Sequence, residues 1–254
     1  MGKIIAVANQ KGGVGKSTTT INLAACLAEA EKEILVIDMD PQGNTTSGLG
    51  LDKDGLEGTL YDVLVDSGSA DEVLISNIYA HMDIIPSNAE LSGAEIELVS
   101  YDNREFLLRE LLKDLKQKYD FILLDCPPSL NILTINAMTA ADSVLVPIQC
   151  EYYALEGLSQ LQYTINLVKE RLNPDISIEG IVFTMFDSRT NLSSQVIDNV
   201  RANLNQHIFE TVIPRNVRLA EAPSYGIPVT IYDSKSPGAE SYRKLAAEII
   251  ERNV

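Results

Sequence analysis

Short runs of apolar residues recur along the chain, and most are followed by a segment whose apolar positions have helical spacing. The runs predict buried strands at residues 4–8, 33–38, 82–86, 119–125, 142–148 and 178–186. The spacing predicts helices at residues 19–28, 59–66, 70–76, 91–99, 104–118, 158–172, 193–205 and 237–254. Residues 45–58 are rich in glycine and are expected to be irregular.

This alternation of strand and helix predicts an α/β fold. We expect one doubly wound domain over residues 1–254, with a mostly parallel sheet and helices on both faces. A length of 254 residues suits one such domain, and a hydrophobic content of 45% supplies its core. Ligands of these sheets bind beyond the carboxyl ends of the strands, so the loops there are the first place to look for chemistry.

Composition favours a reduced, cytoplasmic location. No apolar run approaches the roughly 20 residues that a membrane span needs. The N-terminus begins the first strand directly, so we expect no signal peptide. The three cysteines, Cys26, Cys126 and Cys150, lie far apart without metal-ligand spacing, and no structural metal is expected.

The net charge of -16 argues at first against binding to nucleic acid, because phosphates repel an acidic surface. The charge is unevenly distributed, however. Residues 1–185 contain 12 basic and 28 acidic side chains, whereas residues 186–254 contain 8 of each. The C-terminal part could therefore present a local basic face.

Residues 10–18, with the sequence QKGGVGKST, lie between the first predicted strand and the first predicted helix. Strand, glycine-rich turn and helix form the context of a phosphate-binding loop. Its glycines allow successive N–H groups to turn toward an anion, and the positive end of the helix points at the same place. Lys16 would reach the terminal phosphates, and the Ser17 hydroxyl would bind magnesium.

The loop departs from the general pattern G-x-x-x-x-G-K-[ST], because Gln10 replaces the first glycine and Lys11 lies inside the loop. A chance cluster of glycines and lysines in a surface turn is the alternative. The form K-G-G-V-G-K-[ST] resembles the deviant Walker A loop of the ParA/MinD ATPases, relatives of the nitrogenase iron protein. The resemblance implies an ATP-dependent sandwich dimer in which Lys11 reaches the partner's nucleotide. It also implies nucleotide contacts from Lys11, Gly12, Gly13, Val14, Gly15, Lys16, Ser17 and Thr18.

Residues 38–44, DMDPQGN, follow the second predicted strand, and Pro41 and Gly43 end regular structure there. This loop should lie beside the phosphate loop. It resembles switch I of the ParA family, which implies that Asp40 positions the attacking water at the magnesium site. The alternative is that Asp38 or Asp40 only caps a turn.

The strand at residues 119–125 ends in Asp125, as a Walker B strand does, and Asp125 would reach magnesium through a water. Residues 126–129, CPPS, resemble the family's switch II. Residues 151–157 resemble a segment at the family's dimer face. Within it, Tyr152 and Tyr153 could equally be ordinary core aromatics.

Two arginines near the C-terminus carry the DNA-binding expectation. Arg189 matches an arginine that helps the ParA family to bind DNA without sequence preference. Residues 213–226 look characteristic of chromosomal ParA, with Arg218 as a DNA contact and Pro214 and Asn216 in the part that packs on adenine. Either arginine alone would be interpreted as a surface ion pair. Nothing decides the roles of Lys235, Arg243 and Lys244.

The final predicted helix is amphipathic, with Tyr242, Leu245, Ala246, Ile249 and Ile250 on one stripe. MinD-type relatives have a basic amphipathic tail that lies on membranes. Here Glu248 and Glu251 accompany Arg252, so we expect the helix to pack against the domain.

The resemblance is to the Soj-like ParA branch. It implies slow, magnesium-dependent ATP hydrolysis that drives chromosome or plasmid partitioning, nucleoid association through double-stranded DNA, and a ParB-type centromere-binding partner without stable membrane association. The alternatives are a MinD-like membrane-surface ATPase regulating cell division, a metabolic or metal-delivering ATPase of the same fold, which the cysteine pattern disfavours, and a non-enzymatic nucleotide sensor.

Overall fold

The computed structural model describes residues 2–66, 68–151 and 154–253. Within them, eight strands form one sheet: β1 (Lys3–Val7), β2 (Ile34–Asp38), β3 (Ile75–Tyr79), β4 (Met82–Ile85), β5 (Phe121–Asp125), β6 (Ser143–Gln149), β7 (Ser177–Phe186) and β8 (Ile208–Pro214). Their order is β3-β4-β2-β5-β1-β6-β7-β8. All neighbouring pairs are parallel except β3 with β4. The α/β class predicted from the sequence is confirmed.

Helices connect the strands. In the described chain they are α1 (Lys16–Glu29), α2 (Asn44–Gly48), α3 (Leu60–Leu64), α4 (Ala70–Val73), α5 (Leu91–Glu97), α6 (Leu107–Leu115), α7 (Ile132–Ala140), α8 (Ala154–Arg171), α9 (Asn191–Asn203), α10 (Val217–Glu221), α11 (Val229–Tyr232) and α12 (Pro237–Asn253). Short 3-10 turns cover Lys53–Gly55, Leu98–Ser100, Arg104–Phe106 and Ala222–Tyr225. None of the described helices is long and apolar enough to cross a membrane.

The sheet is buried on both faces. Successive residues of a strand point to opposite faces, and in β1 Ile4 and Ala6 join one apolar cluster while Ile5 and Val7 join the other. All five residues of β2 and all five of β5 are buried. Strands covered on both sides read as continuous apolar runs, which is why the sequence predicted them readily.

Helix α12 packs against α1 and β8, as the sequence predicted. Tyr242, Leu245, Ala246 and Ile249 are buried, while Ile250 is partly buried. At the end of the helix, the Asn253 amide donates to Glu179 Oε1 at 2.8 Å. Ser143 Oγ donates to Glu179 Oε2, and Lys3 Nζ lies 3.3 Å from the same oxygen. The buried carboxylate of Glu179 therefore ties α12 to β1, β6 and β7.

Several local predictions were wrong or incomplete. Residues 45–58 are not wholly irregular, because Asn44–Gly48 form α2. The helix predicted at 70–76 ends at Val73, and the chain continues into the edge strand β3. Strand β3 is only half-buried, so it carries no apolar run. The sequence also failed to predict helix α7 and strand β8. In β8 buried residues alternate with more exposed ones, so this strand has no continuous apolar run.

Candidate active site

The glycine-rich loop lies between the end of β1 and the start of α1, as predicted. Gly13 and Gly15 have φ values of 72° and 89°, a left-handed conformation that costs glycine little. The Val14 side chain is buried, and its carbonyl oxygen lies 2.8 Å from Thr184 Oγ1. Any contact between Val14 and a ligand is therefore made by its backbone. Thr184 fixes the loop against the end of β7.

Lys16 is buried at the start of α1, and its Nζ donates to the carbonyl oxygen of Lys11 at 3.2 Å. Burial lowers the pKa of Lys16, while the nearby charges of Asp125 and Asp40 act in the opposite direction. The structure has no carboxylate within ion-pair distance of this ammonium among the described residues. A phosphate bound by the loop would supply the missing anionic partner.

Asp125 lies at the end of β5, where it is fully buried among hydroxyl groups. Thr45 Oγ1 donates to one carboxylate oxygen at 2.7 Å and Thr20 Oγ1 to the other at 3.3 Å. The Ser17 hydroxyl also lies close to this carboxylate and acts to lower its pKa. Burial raises the pKa of Asp125 to about 6, against the effect of these hydroxyls. Two of the predicted metal ligands, Ser17 and Asp125, thus lie close together.

Asp38 ends the neighbouring strand β2 and organises the loop that follows. Its Oδ2 accepts from both the backbone N–H and the hydroxyl of Thr46 at 2.8 Å, and its Oδ1 accepts from the Asp40 N–H at 3.1 Å. Burial, and then the charge of Asp125, raises the pKa of Asp38 to about 8. Asp38 therefore positions the loop rather than capping a turn alone.

Asp40 is 7% exposed, at the edge of a cleft of about 440 Å³ beside the glycine-rich loop. Its side chain accepts from the Gln42 N–H at 2.9 Å, and its carbonyl oxygen accepts from Ser87 Oγ at 3.0 Å. The cleft is lined by Gly12, Gly13, Gly15, Lys16, Ser17, Thr18, Ile21, Asp40, Gln42, Asn44, Ser47, Pro128, Met185 and Pro223.

A second cleft, of about 280 Å³, adjoins the first, since Gly15, Thr18 and Met185 line both. It is mainly apolar, and its other lining residues are Thr184, Ile213, Pro214, Arg215, Asn216, Leu219, Ala220 and Tyr242. Asn216 caps α10 by accepting from the Arg218 N–H at 2.9 Å. The two predicted base-contacting residues, Pro214 and Asn216, therefore lie beside the loop. A cleft beside the glycine-rich loop that continues into a more apolar one suits a nucleotide.

The Lys11 side chain lies on the surface, where its Nζ forms an ion pair with Glu151. Its backbone N–H donates to Asn9 Oδ1 at 3.0 Å, which fixes the start of the loop. The two lysines of the loop therefore differ: the Lys11 ammonium is exposed and pairs with a carboxylate, whereas the Lys16 ammonium is buried and donates to a backbone carbonyl. The predicted dimer-face residues Tyr152 and Tyr153 lie outside the described residues.

Arg189 and Arg218 follow the ends of the adjacent parallel strands β7 and β8. Arg189 is 83% exposed and binds Asp187 through two nitrogens, at 2.8 and 2.6 Å. Arg218 is half-exposed and pairs with Glu221 at 2.9 Å and Asp233 at 3.2 Å. Both arginines thus form surface ion pairs, which the sequence analysis gave as the alternative to DNA contacts. Both side chains nevertheless remain accessible to solvent.

The oxygen donors of the first cleft suit magnesium. Magnesium in nucleotide sites is held by one or two carboxylates together with substrate phosphates and water. Ser17 and Asp40 line the first cleft, and the buried Asp125 lies close to them; together they offer such a set. In the described part of the chain, no group of three or more His, Cys, Asp or Glu residues could hold a metal ion without such help.

Sequence reasoning missed the hydroxyl groups that support the carboxylates, namely those of Thr20, Thr45, Thr46 and Ser87. A weak signal existed, because Thr20 lies one helical turn after Lys16 and the Thr45-Thr46 pair follows the loop at once. It placed Glu151 in the predicted dimer-face segment but missed its ion pair with Lys11, which lies 140 residues away along the chain.

The AAA domain family model matches residues 2–178. The chromosome partitioning protein ParA of Myxococcus xanthus is 54% identical over 253 residues, covering 100% of this chain and 89% of that protein. The sporulation initiation inhibitor protein Soj of Bacillus subtilis is 55% identical over 249 residues, covering 98% of each. The chromosome-partitioning ATPase Soj of Treponema pallidum is 50% identical, covering 100% and 99%.

Solved structures agree on the fold. Cobyrinic acid a,c-diamide synthase from Mycobacterium smegmatis, crystallised with ADP and magnesium, matches with a TM-score of 0.87 and 36% identity over 99% of this chain and 95% of that one. The cell division ATPase MinD of Pyrococcus furiosus matches with a TM-score of 0.82 and 27% identity over 99% of each chain.

Proposed function

The chain belongs to the ParA/Soj family of chromosome-partitioning ATPases, and we propose that it is an ATP-driven dimerising switch that binds DNA without sequence preference. One observation carries the proposal. Three adjacent strands, β1, β2 and β5, bring three side chains together: Lys16 and Asp40 line one cleft, and the buried Asp125 at the end of β5 lies close enough to both to feel their charges. These are the side-chain types that phosphoryl transfer to water requires.

The first cleft would hold the phosphates of ATP and the second its base, between Pro214 and Asn216. The N–H groups of Gly12 to Gly15 and the Lys16 ammonium would stabilise the negative charge that develops on the transferred phosphoryl group. Ser17 and Asp125 would hold magnesium, which when bound supplies further positive charge to the phosphates. Asp40 would accept a hydrogen bond from the attacking water and orient it.

Lys11 would act on the partner subunit's nucleotide. In the present structure its ammonium is paired with Glu151 on the surface, so it is not committed to the cleft of its own chain. Dimerisation would exchange this carboxylate for the partner's phosphate. Such an exchange requires ATP in both clefts. Hydrolysis would remove the terminal phosphate with which Lys11 pairs. The dimer would therefore last as long as its ATP.

DNA would bind to the arginines beyond β7 and β8. Phe186 and Pro214 are paired in register, and the Arg215 N–H donates to the Phe186 carbonyl oxygen at 2.9 Å. Arg189, Arg215 and Arg218 therefore follow one edge of the sheet. Within the described residues, Arg215 is exposed and has no carboxylate within ion-pair distance. Two copies of this edge in a dimer would contact phosphates and attach the protein to the nucleoid, and a ParB-type protein would stimulate hydrolysis.

The rival functions fit less well. A membrane-surface regulator would need an apolar stripe free to bind lipid, but the stripe of α12 is buried against α1 and β8. A metabolic ATPase is suggested only by the synthase at 36% identity, whereas relatives named for chromosome partitioning reach 54%.

Binding to unrelated duplex DNA with ATP, ADP or no nucleotide, across a salt series, tests the proposal. We expect ATP-dependent binding whose logarithm falls with log salt by about 0.9 for each phosphate contacted. Lys16→Ala should abolish the ATP dependence, and Arg218→Ala should weaken binding and reduce the slope. Lys113→Ala removes a surface charge from α6 and is the matched control. Absence of binding in every nucleotide state would overturn the DNA-binding role, and anionic vesicles would be tested next.

A further inference from the structure

The loop that carries Asp40 holds this carboxylate through its own backbone. The Asp40 carboxylate accepts a hydrogen bond from the Gln42 N–H at 2.9 Å. The Asp40 carbonyl oxygen accepts from the Gly43 N–H at 2.8 Å and from Ser87 Oγ at 3.0 Å. The direction in which the carboxylate points therefore depends on the conformation of residues 41–43.

Gly43 gives this loop a backbone conformation that most residues avoid. Its φ of 59° and ψ of 37° are left-handed, and it precedes α2 without a side-chain cap. Glycine can leave this conformation at little energetic cost, because it has no Cβ atom. Contacts from outside the loop therefore decide how firmly the peptide unit between Gln42 and Gly43 is held.

Lys53 makes such a contact from the 3-10 turn that follows α2. Its Nζ donates to the Gln42 carbonyl oxygen at 2.8 Å. The other end of the same peptide unit, the Gly43 N–H, is bonded to Asp40. One peptide unit is thus fixed at both ends, by the Asp40 backbone and by an ammonium group. Hydrogen bonds from charged donors are the stronger class.

The hydrocarbon stem of Lys53 also covers Gly43. A Cβ atom added to Gly43 would lie 2.5 Å from Lys53 Cδ and 2.8 Å from the Ser87 carbonyl oxygen. Gly43 is buried, and Lys53 is partly buried. Long basic side chains commonly pack their stems in this way while the charged group stays near the surface. The stem therefore occupies the space into which Gly43 would otherwise move.

Neither an ion pair nor a nucleotide contact accounts for this placement of Lys53. In the part of the chain that the structure describes, no carboxylate lies within ion-pair distance of its ammonium. Lys53 lines neither the first cleft nor the second. Its contacts are directed at the loop that carries Asp40.

We propose that Lys53 is a positioning residue for ATP hydrolysis: by holding the peptide unit between Gln42 and Gly43, it keeps the Asp40 carboxylate in the orientation that directs the attacking water. The inference rests on the proposed role of Asp40 and adds the residue that supports it. A displacement of roughly 1 Å can cost about 100-fold in rate. Loss of the Lys53 ammonium should therefore slow hydrolysis without weakening nucleotide binding.

Two substitutions separate the parts of the Lys53 side chain. Lys53→Met keeps an apolar stem and removes the ammonium, whereas Lys53→Arg keeps a charged donor. Asp52→Ala is the local control, because the Asp52 carboxylate accepts from the Asp54 N–H at 3.2 Å within the same turn. Lys113→Met, which removes an exposed ammonium from α6, controls for the change of charge.

Three quantities are measured on the full chain: the single-turnover rate constant of ATP hydrolysis, the affinity for a slowly hydrolysed ATP analogue, and Tm. In Lys53→Met we expect the rate constant to fall by about tenfold. The affinity should stay within about twofold, since the cleft keeps its lining residues. Lys53→Arg should recover most of the rate, and neither control should change it.

The double variant Lys53→Met/Asp40→Ala shows whether Lys53 acts through Asp40. It should hydrolyse ATP no more slowly than Asp40→Ala alone, because the effects of groups that act as a unit are not additive. A general loosening of the domain would slow the double variant further and would lower Tm.

The results distinguish this inference from the proposed function. Equal rate constants in Lys53→Met and Lys113→Met, beside an impaired Asp40→Ala, would overturn the positioning role alone. A further loss of rate in the double variant would do the same, as would a tenfold loss of affinity for the analogue in Lys53→Met. Unchanged turnover in Asp40→Ala would overturn the proposed role of Asp40, and the role of Lys53 with it.

Discussion

Asp38 and Asp125 are paired in register on the neighbouring strands β2 and β5, and both carboxylates are fully buried. Neither forms an ion pair with a basic side chain among the described residues. Threonine hydroxyls and backbone N–H groups satisfy their oxygens instead. Two adjacent acids without a cation are costly to ionise, and their raised pKa values express that cost. The ligand-free site is therefore prepared to receive positive charge.

Asp125→Asn should stabilise the ligand-free protein while abolishing magnesium-dependent ATP hydrolysis. A raised pKa in the folded state means that stability falls as pH rises from the unfolded value near 3.8 through about 6 for Asp125. Asparagine cannot ionise, so Asp125→Asn avoids this loss of stability. The variant should be about as stable as the unmodified protein near pH 4 and more stable than it at pH 8. We expect an increase in Tm of about 2–4 °C for each kcal/mol recovered.

Thermal unfolding in a metal chelator at both pH values measures this difference. Asp198→Asn, which changes an exposed carboxylate on α9, is the control and should leave Tm unchanged. A loss of stability in Asp125→Asn at pH 8 would show that the carboxylate is well stabilised without a cation.

Asp40→Ala should reduce turnover by about 100-fold or more, because a positioned general base contributes about that much, while ATP still binds. The variant should stay on DNA longer, since hydrolysis is the proposed release step. Single-turnover hydrolysis and DNA dissociation after an ATP chase measure the two effects. Asp52→Ala, at the cap of the exposed 3-10 turn that follows α2, is the control. Unchanged turnover would remove Asp40 from the mechanism.

The parts of the site that lie within one continuous stretch could be predicted from the sequence. The phosphate loop, Asp40 and Asp125 each follow an apolar strand, and the strand itself indicates where the loop must lie. The supporting threonines could not be predicted. Thr45 finds Asp125 only because β2 and β5 are neighbours in the sheet, and that neighbourhood is a property of topology.

The same reason explains the missed elements. Strand β3 exists because β4 offers it an antiparallel edge, and its own residues are only half-buried. Helix α2 has five residues and no side-chain cap, and its bonds to Asp38 and Asp125 stabilise it. Isolated helices of that length are not stable, so tertiary contacts decide the conformation of residues 44–48.

Glu151→Gln should increase ATP-dependent dimerisation, because it releases Lys11 from its surface ion pair. Exposed pairs contribute about 0.2–1 kcal/mol, so we expect the dimer dissociation constant to fall by about 1.4-fold to 5-fold for each of the two pairs released. Lys11→Ala should prevent the dimer. Sedimentation with a slowly hydrolysed ATP analogue measures both variants.

The double variant Lys11→Ala/Glu151→Gln separates release of Lys11 from a general charge effect, and it should behave as Lys11→Ala alone. Glu110→Gln breaks a comparable surface pair with Lys113 and should change nothing. A gain in dimerisation that persists in the double variant would contradict the interpretation.

Leu245→Ala should destabilise the protein by about 2–5 kcal/mol, as expected for a large-to-small change in a packed core. Ile250→Ala, on the same helix but only partly buried, should cost less. Denaturant unfolding measures the difference. If both changes were neutral and the helix instead mediated binding to anionic vesicles, α12 would be a membrane element rather than part of the core.

The contacts of the Glu179 carboxylate with Asn253 and Lys3, here called the clasp, have a practical consequence for imaging this protein in living cells. Asn253, in the last turn of α12, donates a hydrogen bond to the Glu179 carboxylate in β7. Lys3, in the first strand, forms an ion pair with the same carboxylate. A fluorescent protein joined directly to either terminus would pull on that clasp. The localisation of such a fusion would then report a loosened domain, so a flexible spacer after residue 254, checked by Tm, should come before any imaging experiment.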